Sequence, residues 1–458
     1  MPPRIAMIGA GSIGFTRTLI HDILAVPELR ESEFVLTDID VQNLNKVYRL
    51  VAHDIAANRF PATVTKTRDR RAALDGAHYA FCTVRVGGLD AFASDIEIPL
   101  KYGVDQCVGD TICAGGIMYG QRGIPVLLDI CRDIREVSPA CLFMNYSNPM
   151  AMLTWACNVY GGVRTIGLCH GVQDSWALLA DALGLPMDEL DIAAAGINHQ
   201  TWFLTVAHRG RDLRGKLLSA LERHPVYSQT EKVRIDMLRR FGYWTTESNG
   251  HCSEYVPWYR KRRRELRRWI DSREWIHGET GGYLRHCRET RASFDKEYAK
   301  CLRGPAPVLT SEVRSREHGG YIVEAMETGR TYRGHFNVPN RGCIANLPAD
   351  CIVEAPGYVD RAGLHMPIVG DLPLACAATC SASVHVQRMA VEAAVRGDAI
   401  LLKQAMLHDP LVGAVCSPPE VWRMADEMIA AQRKWLPQYR SLGGRSPKQR
   451  IRRPQARV

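Results

Sequence analysis

The feature that most constrains this chain is a short apolar strand running into three spaced glycines. Residues 4–8 (RIAMI) lead directly into Gly9-Ala10-Gly11-Ser12-Ile13-Gly14, and a helix-like segment follows. In such a strand–turn–helix the first glycine makes the tight turn, the second lets a pyrophosphate approach the backbone, and the third packs helix on strand. The helix N-terminus then presents its N–H groups to phosphate charge. The pattern alone is weak. Here residues 33–36 (EFVL) read as a second strand ending in Thr37-Asp38. Asp38 therefore stands near the distance of about 20 residues at which an acid receives ribose hydroxyls. An aspartate disfavours a 2′-phosphate, so the cofactor expected is NAD, held by Gly9, Gly11, Ser12, Ile13, Gly14 and Asp38. Asp40 stands close enough to share the last role.

Further buried strands are read at 78–84 (HYAFCTV), 141–144 (CLFM), 164–168 (RTIGL) and 190–196 (LDIAAAG), with helical periods between them. Strands alternating with helices argue for a parallel sheet with crossover helices. Beyond residue 200 the texture becomes helical, notably over 231–241, 259–275 and 386–407, with a β-like interlude rich in Pro and Gly around 330–355. A chain of 458 residues accommodates two closely packed domains. The expected fold class is α/β: a Rossmann-type parallel-sheet domain over residues 1–200 that binds NAD, and a second mixed α/β, helix-rich domain over 201–443 for substrate and oligomerisation. A basic, disordered tail is expected over 444–458.

Composition narrows the setting. With 46% hydrophobic and 23% charged residues the chain is that of an ordinary globular protein. No apolar run reaches the roughly 18 residues needed to span a bilayer. A signal peptide fits poorly, because the apolar run after Arg4 is broken by Gly9, Gly11 and Gly14. The cytoplasm is the expected location, and the fifteen cysteines, with no CxxC pair among them, read as reduced thiols. The net charge of +9 falls to +3 without Arg445, Lys448, Arg450, Arg452, Arg453 and Arg457 of the tail. A second basic run, 260–268, contains only Glu265 as counter-charge and reads as a solvated helix face. Neither nucleic acid nor a membrane is expected as a partner.

Three segments, Asn145-Tyr146-Ser147-Asn148-Pro149, Leu168-Cys169-His170-Gly171-Val172 and Gly196-Ile197-Asn198-His199, each follow a strand. They fall at the carboxyl edge where open α/β sheets bind ligands. One thiolate and one imidazole from separate strand ends can jointly hold a divalent metal with positions open for substrate. On spacing alone, ordinary buried Cys and His side chains account for the same residues.

Taken in order with VGDTxxxGG at 108–116 and NVPNRGxIxNLPxDxxVExP at 337–356, these motifs resemble glycoside hydrolase family 4, the NAD- and metal-dependent glycosidases. The likeness continues weakly to WLPQY at 435–439. It implies a reaction unlike two-carboxylate hydrolysis: oxidation of the sugar at C3, proton removal from C2, elimination of the glycosidic oxygen from C1, then water addition and return of the hydride. By position, the resemblance makes Cys169 and His199 the ligands of Mn²⁺. Asn148 and Asn198 would bind sugar hydroxyls, and Asp110 would sit at the rim. Tyr255 is the candidate base, with Glu254 and Tyr259 as neighbours that could be mistaken for it. His170 would transfer a proton or orient substrate.

The motif after Cys169 is similar to that of relatives acting on unphosphorylated α-glycosides. Gly171 resembles α-glucuronidase-like members, whereas the run GYWTTESNGHCSEYVPWY at 242–259 looks more like the α-galactosidase branch. The expected activity is an α-galactosidase or α-glucosidase. An α-glucuronidase or galacturonidase, or a lactate/malate-type dehydrogenase, stands as the alternative. Tyr119 departs from the Arg that many relatives carry. The family resemblance further implies a homo-oligomer, dimer or tetramer. A thiolate ligand open to solvent implies activity that needs a reductant.

Overall fold

The computed structural model describes residues 2–439, so the tail expected over 444–458 lies outside the described residues. Arg4–Ile8 (β1), Glu33–Thr37 (β2), Thr63–Thr67 (β3), Tyr79–Cys82 (β4), Leu142–Asn145 (β5) and Thr165–Gly167 (β6) lie in the order β3-β2-β1-β4-β5-β6. All five pairings are parallel. This is the doubly wound order, with its reversal between β1 and β4. Alternate residues of each central strand feed different cores. Ala6, Ile8, Ala80, Cys82 and Phe143 face one. Ile5, Met7, Tyr79, Phe81, Leu142 and Met144 face the other. Burial on both faces is why these strands appear in the sequence as continuous apolar runs rather than alternating ones.

The sheet does not stop at β6. Leu190–Ile197 (β7), Gln200–His208 (β8), Arg211–Asp212 (β9), Tyr332–Pro339 (β10), Ile352–Asp360 (β11) and Gly363–His365 (β12) extend it in the order β6-β10-β11-β7-β8-β9, with β12 on β11. The β-like interlude around 330–355 thus becomes a long antiparallel pair inserted into the same sheet. Its joins are narrow: β10 meets β6 at Asn337 opposite Gly167, and β11 meets β7 at Glu354 opposite Gly196. Asn337 and Glu354 are themselves cross-strand partners. A Cβ on Gly167 would stand 2.9 Å from Asn337 Cβ, and 2.6 Å from Met150 Sδ and Thr154 Oγ1 of the helix below, so the close pairing with β10 depends on a glycine there.

Two helix expectations need correction. The helix read over 386–407 is two helices, Leu374–Arg396 and Ala399–His408. Gly397, at φ 68°, ends the first, and the Asp398 side chain caps the second. The helix read over 259–275 shrinks to Arg263–Trp269. Arg260 is drawn inward, where it donates to Asp105 O at 3.0 Å, Gly278 O at 2.8 Å and Ser253 Oγ at 3.1 Å. Its guanidinium also pairs with the Asp105 carboxylate. Arg260 is 1% exposed, so the basic run is not a solvated face along its whole length. All fifteen cysteines are free thiols, thirteen of them buried. Among the described residues, no helix is long and apolar enough to cross a membrane.

Candidate functional site

The glycine turn sits at the switch point of the sheet. Gly9 has φ 84°, and a Cβ there would lie 3.0 Å from the carbonyl carbon of Thr83, so the turn is closed to other residues. The N–H groups of Gly9 and Ala10 donate to Thr37 O at 2.9 and 3.1 Å. Gly11 N–H donates to Asp38 Oδ2 at 2.8 Å. Ser12 caps the helix Ile13–Leu24, its Oγ accepting from Phe15 N–H at 3.3 Å. A Cβ on Gly14 would meet nothing within 4 Å, so the third glycine does not serve the helix-on-strand packing expected of it. Of the two acids, Asp38 faces the glycine turn. Asp40 caps the helix Val41–Ala57 through Asn43 N–H at 3.0 Å and pairs with Arg291 at 3.3 Å.

Beyond this turn a cavity of about 280 Å³ opens at the carboxyl ends of β4, β5 and β6 and beside the β7–β8 turn. Asn148, Cys169 and His199 all line it, as the strand-end argument expected, and so do Asp110 and His170. His199 occupies the two-residue turn between β7 and β8 at φ 64°, a left-handed conformation uncommon for a non-glycine residue. Glu247 reaches in from the 242–259 run, in which the sequence assigned it no role. Its Oε2 lies 3.8 Å from Cys169 Sγ and 3.6 Å from His199 Nε2. The ligand atoms of Cys169, His199 and Glu247 all fall within 4.8 Å of one another, and so do those of Asp110, His199 and His251.

Hydrogen bonding fixes how His199 presents itself. Thr111 Oγ1–H donates to Asp110 Oδ1 at 2.8 Å, while Tyr255 O–H donates to Thr111 Oγ1 at 2.9 Å. His199 Nδ1 lies 2.7 Å from the same oxygen. A hydroxyl has one proton and two lone pairs. With its proton on Asp110, Thr111 accepts from both Tyr255 and His199. The imidazole proton is thereby assigned to Nδ1, and the bare Nε2 faces Cys169 and Glu247. Asn148 Nδ2 completes the set by donating to Asp110 Oδ2 at 2.8 Å.

Two of the expected residues are near but not in the cavity wall. Tyr255 is buried behind His199, with its hydroxyl on Thr111 and 3.2 Å from His199 Nδ1, and burial raises its pKa well above the ordinary tyrosine value. Asn198 is buried and turns its amide to Glu354, donating to Oε2 at 3.2 Å. His251, which lines the cavity, went unremarked in the sequence although it lies in the segment that carries Tyr255. Its Nδ1 lies 2.7 Å from Ser248 Oγ, and burial lowers it to about 4. His170 is pulled down by burial, but Glu317 at 3.0 Å outweighs this and lifts it to about 9. Glu254 is spent on structure, accepting from the N–H groups of Cys107, Val108 and Gly109. Tyr259 donates to Asp236 at 3.1 Å.

Gly171 and Tyr119 both acquire a reason. A Cβ on Gly171 would lie 2.0 Å from Glu247 Oε2, so the space left by the glycine is filled by that carboxylate. The sequence signals for Glu247 were this glycine and its place inside the 242–259 run. Near Tyr119 the chain carries cations of its own: the guanidinium carbons of Arg85 and Arg122 lie 5.0 and 5.4 Å from its ring centre. Arg122 is held by the Asp95 carboxylate, whereas Arg85 lines the cavity.

A doubly wound sheet with a glycine turn at its switch point, beside a cavity holding a thiol, three imidazoles and two carboxylates, defines a nucleotide-binding α/β fold with a polar, metal-competent site. Residues 4–185 match the model of the family 4 glycosyl hydrolases, and residues 194–412 match that of the family's C-terminal domain. The chain belongs to glycosyl hydrolase family 4. Over 438 residues it is 60% identical to an alpha-galactosidase of Rhizobium meliloti (strain 1021), covering 95% of this chain and 89% of that one. An alpha-galactosidase of Bacillus subtilis (strain 168) is 35% identical over 95% of this chain and its own full length. The fold is also that of a 6-phospho-alpha-glucosidase from gut microorganisms solved in complex with NAD and Mn²⁺. The TM-score is 0.78 at 21% identity, over 95% of this chain and 99% of that one.

Proposed function

We propose that this chain is an α-galactosidase of the cytoplasm that works through NAD and Mn²⁺ on unphosphorylated α-glycosides. One observation carries the proposal: the cavity that holds the Cys169–His199 pair reaches Thr83 and Val84, the residues against which the Gly9 turn is packed. The 60% identity to an alpha-galactosidase supports the choice of sugar. The residues fit both groups. The turn at Gly9 leaves no room for a side chain, and Asp38 stands beside it for ribose hydroxyls. Cys169 and the bare Nε2 of His199 would hold the ion. When bound, the two groups supply a reversible hydride acceptor and a Lewis acid for oxygens on neighbouring sugar carbons.

The chain's own groups do the rest. Asn148 and Asp110, bonded to each other, present one polar edge to the sugar hydroxyls. Asn198, tied to Glu354, supports the turn that carries His199. His170, held protonated by Glu317 at neutral pH, donates to the departing glycosidic oxygen. Tyr255 is the base that the family resemblance points to for the C2 proton, and from its place behind His199 its hydroxyl has to move past that ring to reach the sugar. His251 is the second reading for that role, favoured by its position in the cavity wall. Residues 1–200 form the NAD-binding part and 201–443 the substrate and oligomerisation part of a homo-oligomer.

The test is nitrophenol release from p-nitrophenyl α-galactoside, α-glucoside and α-glucuronide, with and without NAD, Mn²⁺ and dithiothreitol. Release that needs both NAD and Mn²⁺, is fastest on the galactoside and leaves no net NADH is the expected result. NADH accumulating without nitrophenol would identify a dehydrogenase instead. For the base, solvent deuterium incorporation at C2 separates the two readings: Tyr255→Phe abolishes it if Tyr255 acts, and His251→Asn if His251 does.

A further inference from the structure

We infer that Glu247 is a third protein ligand of the divalent ion, completing a Cys169–His199–Glu247 site. The inference rests on the metal reading above and extends it to a residue of the 242–259 run to which the sequence assigned no role. Of the two carboxylates that line the cavity, Asp110 and Glu247, the second is the less engaged. Both oxygens of Asp110 are already engaged, Oδ1 by Thr111 and Oδ2 by Asn148. Glu317, which pairs with His170 through Oε1, does not line the cavity. Glu247 meets only the Cys169 thiol at 3.8 Å and the bare His199 nitrogen at 3.6 Å.

Those separations come close to what shared coordination produces. Ligand atoms held about 2.1–2.3 Å from one ion stand roughly 3.0–3.6 Å apart, depending on the angle between them. The chain also makes room for this carboxylate. Any side chain at 171 would displace it, since a Cβ there falls 2.0 Å from Oε2 and 2.8 Å from the carboxyl carbon. Gly171 directly follows the Cys169-His170 pair, so the thiol and the carboxylate are brought together by the same short turn. The site would then carry two anionic ligands and one neutral imidazole, a set that neutralises a divalent cation and leaves further positions for substrate oxygens.

The experiment is Mn²⁺ titration of the metal-stripped full-length protein, following loss of the free-ion EPR signal. It is run on wild type, Cys169→Ser, Glu247→Ala, Glu247→Gln and Gly171→Ala, with NAD binding by calorimetry as the measure of an intact fold. Wild type is expected to bind one ion, and Glu247→Ala to weaken binding more than tenfold while still binding NAD. Gly171→Ala, which retains the carboxylate but pushes it aside, is expected to weaken it in the same direction. The Gln variant should recover only part of the loss. Wild-type Mn²⁺ affinity in both Glu247→Ala and Gly171→Ala, with Cys169→Ser impaired, would overturn the third ligand and leave the metal reading standing. No binding by wild type would remove the metal reading itself.

Discussion

Replacing Thr111 by valine tests the hydrogen-bond logic on which the site depends. Valine keeps the branched shape and removes the hydroxyl at which Asp110, His199 and Tyr255 converge at 2.8, 2.7 and 2.9 Å. The change strands Asp110 Oδ1 and the Nδ1–H of His199, and a buried polar group left unpaired costs about 1–3 kcal/mol. Tyr255, 3.2 Å from Nδ1, can rescue the imidazole by donating its own proton. Nδ1 then becomes an acceptor, and the ring proton moves to Nε2, the nitrogen that faces Glu247. We expect a loss of about 2 kcal/mol in unfolding free energy. We also expect Mn²⁺ affinity to fall about 10–100-fold, the usual effect of losing an outer-shell partner. That corresponds to about 1.4–2.7 kcal/mol. Urea unfolding of the metal-free protein reads the first quantity and an EPR-monitored Mn²⁺ titration the second. Thr111→Ser, which retains the hydroxyl, should recover most of both. If the valine variant binds Mn²⁺ as tightly as wild type, the tautomer assigned to His199 is wrong.

The remaining predictions are shorter. Asp38→Ala removes the acceptor of Gly11 N–H and the expected ribose contact, so NAD affinity measured by calorimetry should drop more than tenfold with little change in Mn²⁺ binding. Burial pushes Asp54 up, but hydrogen bonds from His21 and Arg17 prevail and hold it at about 2, below its ordinary 3.8. Its contribution of about 2 kcal/mol is therefore fully present above pH 4 and lost as the pH falls towards 2. Asp54→Asn should flatten the acid limb of the stability curve in that window, and an unchanged limb would count against the pairing. Peroxide should release bound Mn²⁺ and abolish activity if Cys169 is a ligand, with dithiothreitol restoring both after early, reversible oxidation. Full activity and retained metal after peroxide would speak against Cys169.

The sequence was most informative where function rests on contiguous backbone. The turn from Gly9 to Gly14, the capping Ser12 and the acid at Asp38 are specified by residues close together in the chain, because a tight turn and a helix N-terminus are local structures. The strand ends carrying Asn148, Cys169 and His199 were equally legible, since short buried strands read as apolar runs and their carboxyl ends share one edge. Segment 259–275 misled because charge periodicity says nothing about which arginine finds a buried acid. Arg260 meets Asp105, 155 residues away, and the helix begins only after it.

Other features emerged only in the folded chain. That β10 and β11 enter the sheet between β6 and β7 depends on Gly167 and Gly196 lying opposite Asn337 and Glu354, a register that no local pattern states. Glu247 belongs to the cavity only because a missing Cβ 76 positions earlier leaves space for it. The identity of the Nε2 lone pair on His199 follows from a single hydroxyl shared by three side chains from separate segments. Local sequence sets backbone conformation and which faces are apolar, and so it determined the nucleotide-binding frame and the strand ends. The ligand set, the tautomer and the close approach of carboxylate to thiol are distances between parts of the chain far apart in sequence, and only packing in three dimensions fixes those.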